Sequence, residues 1–158
     1  MKKIPVTGGL LALVDDEDYP TLSLLKWHKQ PGANTWYAAT NVLQGDGKYS
    51  KVLMHRMINK TPAGFDTDHR DGNGLNNTRL NLRTATRTQN QRNRSPNRRS
   101  TSRHKGVYWL KDRSRWHASI TINGRLHHLG NFVNEVDAAK AYAERAAKEY
   151  GEFHRSEA

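Results

Sequence analysis

The sequence predicts an α+β chain built from small modules, and three observations predict it. Only 35% of its 158 residues are apolar, too few for one large core, and small modules bury a smaller share of their surface. Short β-type runs are broken by Gly-Gly, Gly-Asp-Gly and Asn-Gly turns, the punctuation of hairpins. A sustained helical pattern, "NEVDAAKAYAERAAKEYG", comes only near the C-terminus.

Residues 1–53 read as a β-rich N-terminal region packed on the central segment, residues 54–94. "GGLLALV" and "TWYAATNVLQGDGKYSKVLMHR" carry the strands. "DYPTLSLLKWH" is a short helix near Pro20, whose fixed φ suits a first turn. "HRMINKTPAGF" is another, ended before Pro62. The stretch "DHRDGNGLNN" is loop-rich, and "RTATRTQNQRNRS" is a polar helix starting at a threonine cap, Thr84 or Thr86. Residues 95–103, "SPNRRSTSR", form a basic linker with almost nothing to bury. From residue 104 to 154 there are three candidate strands, "GVYWL", "WHASITI" and "RLHHLGNF", the last two joined by an Asn-Gly hairpin signal. In the closing helix Asn134 is the cap, Gly151 the stop, and Val136, Ala139, Ala143, Ala146 and Tyr150 form one stripe.

The net charge is +11 and there is no cysteine, which excludes disulfides and thiolate zinc sites. At the N-terminus the apolar run "LLALV" is followed by four acids, too short and interrupted for a signal peptide. Nothing approaches the ~18 apolar residues of a membrane span, so the expected compartment is the cytoplasm. Between Gly72 and Lys111 stand ten Lys or Arg and no Asp or Glu. A block of one sign marks an interaction segment, and a phosphate backbone suits it, since each neutralised phosphate releases counterions.

Against that background Asp66, Asp68 and Asp71 crowd one histidine, His69. A phosphodiester hydrolase needs a base for water and a cation at the scissile phosphate. Imidazole titrates near neutrality, and Mg²⁺ takes oxygen ligands while keeping several waters. Asp68, adjacent to the base, is the candidate ligand; Asp66 and Asp71 are weaker ones, Asp71 reading as a turn residue before Gly72. A turn histidine with a capping aspartate is the structural alternative.

"MHRMI", "DTDHRDGNGLNNTRLNLR" and "TQNQRN" resemble the HNH homing endonucleases of phages and introns. The resemblance implies a ββα-metal centre over residues 54–94. It makes His69 the general base and Asn81 the asparagine bracing its loop. By its Asp-His…Asn…Asn variant it makes Asp68 and Asn90 the ligands of Mg²⁺ or Mn²⁺. Asn76, Asn77 and Asn93 compete for these roles, and His55 reads as packing or capping the short helix. Arg83 and Arg87 are expected to clamp phosphate, and Arg92, Arg94, Arg98, Arg99, Arg103 and Lys105 continue the basic track.

The segment from His104 onward resembles the DNA-binding domain of plant APETALA-two and ethylene-response factors, through "GVYW", "ASI", "LGNF" and "AAKAYAERAAKEYG". That resemblance implies a three-stranded antiparallel sheet, backed by one helix, lying in the major groove. Period two puts Arg115, His117, Ser119 and Thr121 on the open face with Arg125 and His127. Tyr108, Lys111 and Arg113 reach DNA from the first strand and turn, and Trp116 approaches it at the sheet edge. Together the two resemblances imply a phage-encoded endonuclease that nicks double-stranded DNA as a monomer, with no protein partner evident. A DNA-binding regulator with an inactive nuclease remnant is the alternative.

Overall fold

The computed structural model describes residues 1–96 and 100–154, so Arg98 and Arg99 lie outside the described residues. The chain is α+β and divides into two compact units, Met1–Asn90 and Gln91–Ala158.

In the first unit β1 (Lys2–Val6) and β2 (Leu10–Val14) form an antiparallel hairpin. Gly8 and Gly9 turn it at φ +80° and +73°, values side chains rarely adopt. α1 (Tyr19–Leu22) has Pro20 in its first turn. β3 (His28–Pro31), β4 (Trp36–Leu43) and β5 (Tyr49–Leu53) make an antiparallel sheet in chain order. α2 (Met54–Asn59) comes directly after β5 and stops at Lys60, which is left-handed at φ 48°. β6 (Asp66–His69) pairs antiparallel with β7 (Leu82–Ala85).

α3 (Arg87–Asn93) begins after Thr86, and the division between units falls within it. The Thr86 hydroxyl accepts from Gln89 N–H at 3.2 Å, and the Gln89 amide oxygen accepts from Thr86 N–H at 2.8 Å. This reciprocal pair satisfies two helix-start donors.

One core joins these elements. Ile4, Val6, Ala12 and Val14 pack with Leu22, Trp27, Ala38, Met54, Ile58 and Leu82. Residues of the N-terminal stretch therefore share a single interior with those of α2 and β7.

In the second unit β8 (Val107–Leu110), β9 (Arg115–Ile122) and β10 (Arg125–Phe132) form an antiparallel sheet in the order β10-β9-β8. α4 (Glu135–Tyr150) backs it. Val107, Ala118 and Ile120 meet Ala138, Ala139, Tyr142, Ala146 and Tyr150. The helical stripe differs from the expected one. Val136 is 71% exposed, and Tyr142 holds the centre of the contact. Gly106 explains the shift: a Cβ there would lie 2.2 Å from the Tyr142 ring, so only glycine admits that ring. Asn134 occupies the cap position, but its amide donates to Asp137 instead of accepting from the helix.

Part of the expected linker is built into this unit. Ser102 is buried; its hydroxyl donates to Glu135 at 2.7 Å and accepts from His104 N–H at 2.9 Å. Among the described residues no helix is long and apolar enough to cross a membrane.

Candidate active site

His69 ends β6 and is buried. Its Nε2 lies 3.2 Å from Oδ1 of Asn77, which is wholly enclosed. An amide oxygen can only accept, so Nε2 carries the proton and the lone pair resides on Nδ1. Two rings flank the imidazole: His55 stands edge-on to His69 at 5.0 Å, and Tyr37 packs on both at 5.2 and 5.8 Å. Burial holds the His69 pKa below its ordinary value, against the raising effects of Asn77, Asp71 and Asp68. The imidazole is thus neutral at neutral pH, the state a base requires.

Asn77, one of the asparagines competing for a role beside His69, lies only eight residues along the same loop, whereas Tyr37 comes from the distant strand β4. The loop after His69 is tied to β2: Leu13 N–H donates to Leu75 and Asn77 N–H to Leu13, each at 2.8 Å. Gly74 lets the loop cross Tyr37, since a Cβ would come within 2.5 Å of that ring.

Asn81 makes the contacts of a loop brace. Its amide donates to Asp71 at 2.9 Å and to the Asn76 carbonyl at 2.7 Å, and its oxygen accepts from Asp71 N–H at 3.1 Å. Asp71 also accepts from Asn73 N–H and the Asn76 amide, which makes it a turn organiser.

The carboxylates divide differently from the sequence expectation. Asp68 and Arg83 are register partners on β6 and β7 and form a buried ion pair at 2.6 and 2.7 Å. Arg83 is therefore an internal counter-ion where a phosphate clamp was expected, because the pleat turns its guanidinium onto Asp68. Asn90 donates to Asp66 at 2.9 Å. Adjacent strand residues face opposite ways, so Asp66 and Asp68 share one face of β6 while His69 turns to the other. No three His, Asp or Glu side chains converge on a metal position among the described residues. The donors present, two carboxylates and an amide oxygen, are all oxygen. They suit a hard cation that retains water more than a soft one.

The chain is 33% identical over 151 residues to an uncharacterised HNH endonuclease of Acanthamoeba polyphaga mimivirus, spanning 92% of this chain and 73% of that protein. The chain belongs to the HNH endonuclease family. It is also 34% identical over 95 residues to protein 3.8 of Escherichia phage T7, covering 60% of this chain and 77% of the phage protein. No family model matches, and no solved structure matches.

The buried histidines of the first unit should make it sensitive to acid. Burial, then the charges of His69 and Arg56, push His55 down to about 3 from 6.5. The unfolded chain therefore takes up protons that the folded site refuses. Stability is complete above about 6.5 and falls as pH drops toward about 3, by roughly 1.4 kcal/mol per pH unit per histidine. Urea titrations between pH 7 and 4 should show this slope. The buried Nδ1 of His55 has no hydrogen-bond partner, so His55→Phe should flatten the slope by about one proton.

In the second unit the register reassigns the open face. His117 pairs with Asn131, Ser119 with His128 and Thr121 with Leu126, whereas Arg125 pairs with Ile122 and His127 with Ile120. Paired residues share a face, so Arg125 and His127 belong to the helix side, exposed at the edge strand. The two-residue Asn-Gly turn sets this parity. His117 is buried among its neighbours, 2.6 Å from Asn131 and 3.0 Å from His128, with Tyr108 stacked at 5.0 Å. Trp116 packs against the core and edge-on to Trp109, away from the open face.

Of the basic track, the Lys105 ammonium donates to the carbonyls of Gln91, Arg92 and Arg94. It fastens the end of α3, which occupies the donors a phosphate would need. Arg92 lies over the Tyr150 ring at 4.4 Å. Arg87, Arg94, Arg103, Lys111, Arg113 and Arg115 are exposed.

Proposed function

We propose that this chain is a metal-dependent DNA endonuclease of the homing type that cuts one strand at a time. The observation that carries the reading is the neutral His69 imidazole, held in one tautomer by Asn77, in a chain of the HNH family. His69 takes a proton from water on Nδ1. The water oxygen bonds to phosphorus, and the phosphorus–oxygen bond to the leaving strand breaks. Asn77 and Tyr37 hold the ring against rotation, and Asn81 holds the loop that carries it. Asp68 and Asn90, with Asp66 beside them, are the residues that would hold Mg²⁺ or Mn²⁺. Such an ion supplies charge neutralisation at the scissile phosphate and leaving oxygen.

The second unit is read as the DNA-binding domain that its sequence resemblance to APETALA-two factors implies. Its open face, with Arg115, His117, Ser119, Thr121, His128 and Asn131, is read as the major-groove anchor. The major groove is wide enough to admit β-strands. Arg87, Arg94 and Arg103 are read as phosphate contacts.

One observation favours a different reading, a DNA-binding protein with an inactive centre: Asp68 is already neutralised by Arg83. Incubation of supercoiled plasmid with Mg²⁺, with and without chelator, separates the two. The nuclease reading expects open circles first, because each chain carries one Asp-His…Asn…Asn set. Linear DNA appears later, at a rate that rises with enzyme concentration. Intact plasmid under all metal conditions supports the inactive reading. Linear product with no open-circle intermediate refutes single-strand cutting.

A further inference from the structure

The pairing of β9 with β10 is irregular at one point, and the irregularity builds a contact. The register shifts between His128 and Gly130, where Gly130 takes φ 140°. Residues three apart in a regular strand face opposite ways. Here Asn131 pairs with His117 and His128 with Ser119, and His117 and Ser119 share a face. The bulge thus re-aims the strand and brings both His128 and Asn131 to the His117 ring.

These three residues form a hydrogen-bonded chain with a direction. Asn131 Oδ1 lies 2.6 Å from His117 Nδ1, and His117 Nε2 lies 3.0 Å from His128 Nδ1. An amide oxygen only accepts, so His117 carries its proton on Nδ1 and its lone pair on Nε2. His128 must then donate from Nδ1, which leaves its own lone pair on Nε2, at the far side of an exposed ring. The Asn131 amide therefore sets the hydrogen-bonding character of an atom one imidazole away. One added proton reverses that character. The bond to Asn131 and the bond between the rings hold two protons, so the third resides on His128 Nε2, which then donates.

Imidazole changes charge between about pH 5 and 8, and the surroundings leave the pair free to do so. From β8, Tyr108 stacks on His117 at 5.0 Å. From β9, Arg115 shares the face. The three strands carry no acid, and α4 packs on the other side.

We propose that His128 is a specificity-determining residue whose choice of base follows pH. As an acceptor it takes the amino group that cytosine presents in the major groove, and as a donor it takes the N7 and O6 acceptors of guanine. The proposal rests on the reading of this face as the major-groove anchor, and it adds a proton-dependent change of preference at one base pair.

Nitrogen NMR of the full-length chain tests the relay without DNA. At pH 8 both His117 and His128 should carry their proton on Nδ1, and on lowering to pH 6 a further proton should appear on His128 Nε2. An Nε2–H on either neutral ring would overturn the proposal. Selection from a randomised duplex pool in chelator, at the same two pH values, tests recognition. One position of the selected site should change from cytosine at pH 8 to guanine at pH 6, with affinities differing by about 3–10-fold, the worth of one hydrogen bond. His128→Leu should erase the preference at that position. Asn131→Asp, which places a negative charge beside His117 and favours the protonated pair, should keep guanine at pH 8. His127→Leu, on the helix side of the sheet, should leave the change intact. The same base preference at both pH values in the wild-type chain, or a change that survives His128→Leu, would overturn the proposal. If the tautomers are as stated but no sequence is enriched at either pH, the anchor reading falls and the proposal falls with it.

Discussion

His69→Ala lowers the nicking rate by ~10²–10⁴-fold, the usual contribution of a general base, while duplex affinity in chelator stays at the wild-type value. The imidazole is enclosed by Asn77, His55 and Tyr37, so it makes little contact with bound DNA beyond the reacting phosphate. The same substitution removes a buried group that resists protonation. Acid sensitivity should therefore weaken as activity disappears. Single-turnover nicking with excess enzyme measures the first effect, and urea titrations at pH 7 and 5 measure the second. Nicking at the wild-type rate would remove His69 from the mechanism.

Asp68→Ala is expected to destabilise the first unit by about 3–5 kcal/mol, the cost of leaving one member of a buried ion pair alone. Arg83 is buried like Asp68 and would lose the carboxylate it pairs with. Loss of activity in that single variant would therefore not distinguish a ligand from a structural residue. Asp68→Ala combined with Arg83→Met makes the distinction, since an apolar replacement of the whole pair restores much of the stability. If Asp68 holds metal, the double variant is folded and inactive at every Mg²⁺ concentration. A folded double variant that nicks normally at low Mg²⁺ would move the ligand to Asp66 or Asp71. Urea unfolding and a Mg²⁺ titration of nicking provide the two readouts.

How legible each feature was from the chain depends on how far apart its partners lie. The helix at Arg87 could be read because Thr86 and Gln89 complete each other's hydrogen bonds within one turn. The β9–β10 hairpin could be read because Asn123 and Gly124 both take positive φ. Asn81 could be placed near the His69 loop because its partners, Asp71 and Asn76, are within ten residues. The orientation of Arg125 and His127 could not, although the hairpin itself was seen. A shift of one residue in the pairing moves a whole strand to the other face, and composition does not record that parity.

The sequence by itself determined the α+β class, the helix starts and hairpin turns, the basic stretch, and the Asp68-His69 pair set against it. Each is a local pattern, fixed by periodicity, by turn chemistry or by charge along the chain. Only the tertiary structure decided what those residues touch. It turned Arg83 from a phosphate ligand into the partner of Asp68, and it brought Asn77, Tyr37 and His55 around His69. It also buried Tyr142 against Gly106 in place of Val136. The reason is common to all of them. A buried side chain acts through neighbours drawn from other strands, and strand register and loop anchoring, such as the tie from Asn77 to Leu13, choose those neighbours only when the chain packs.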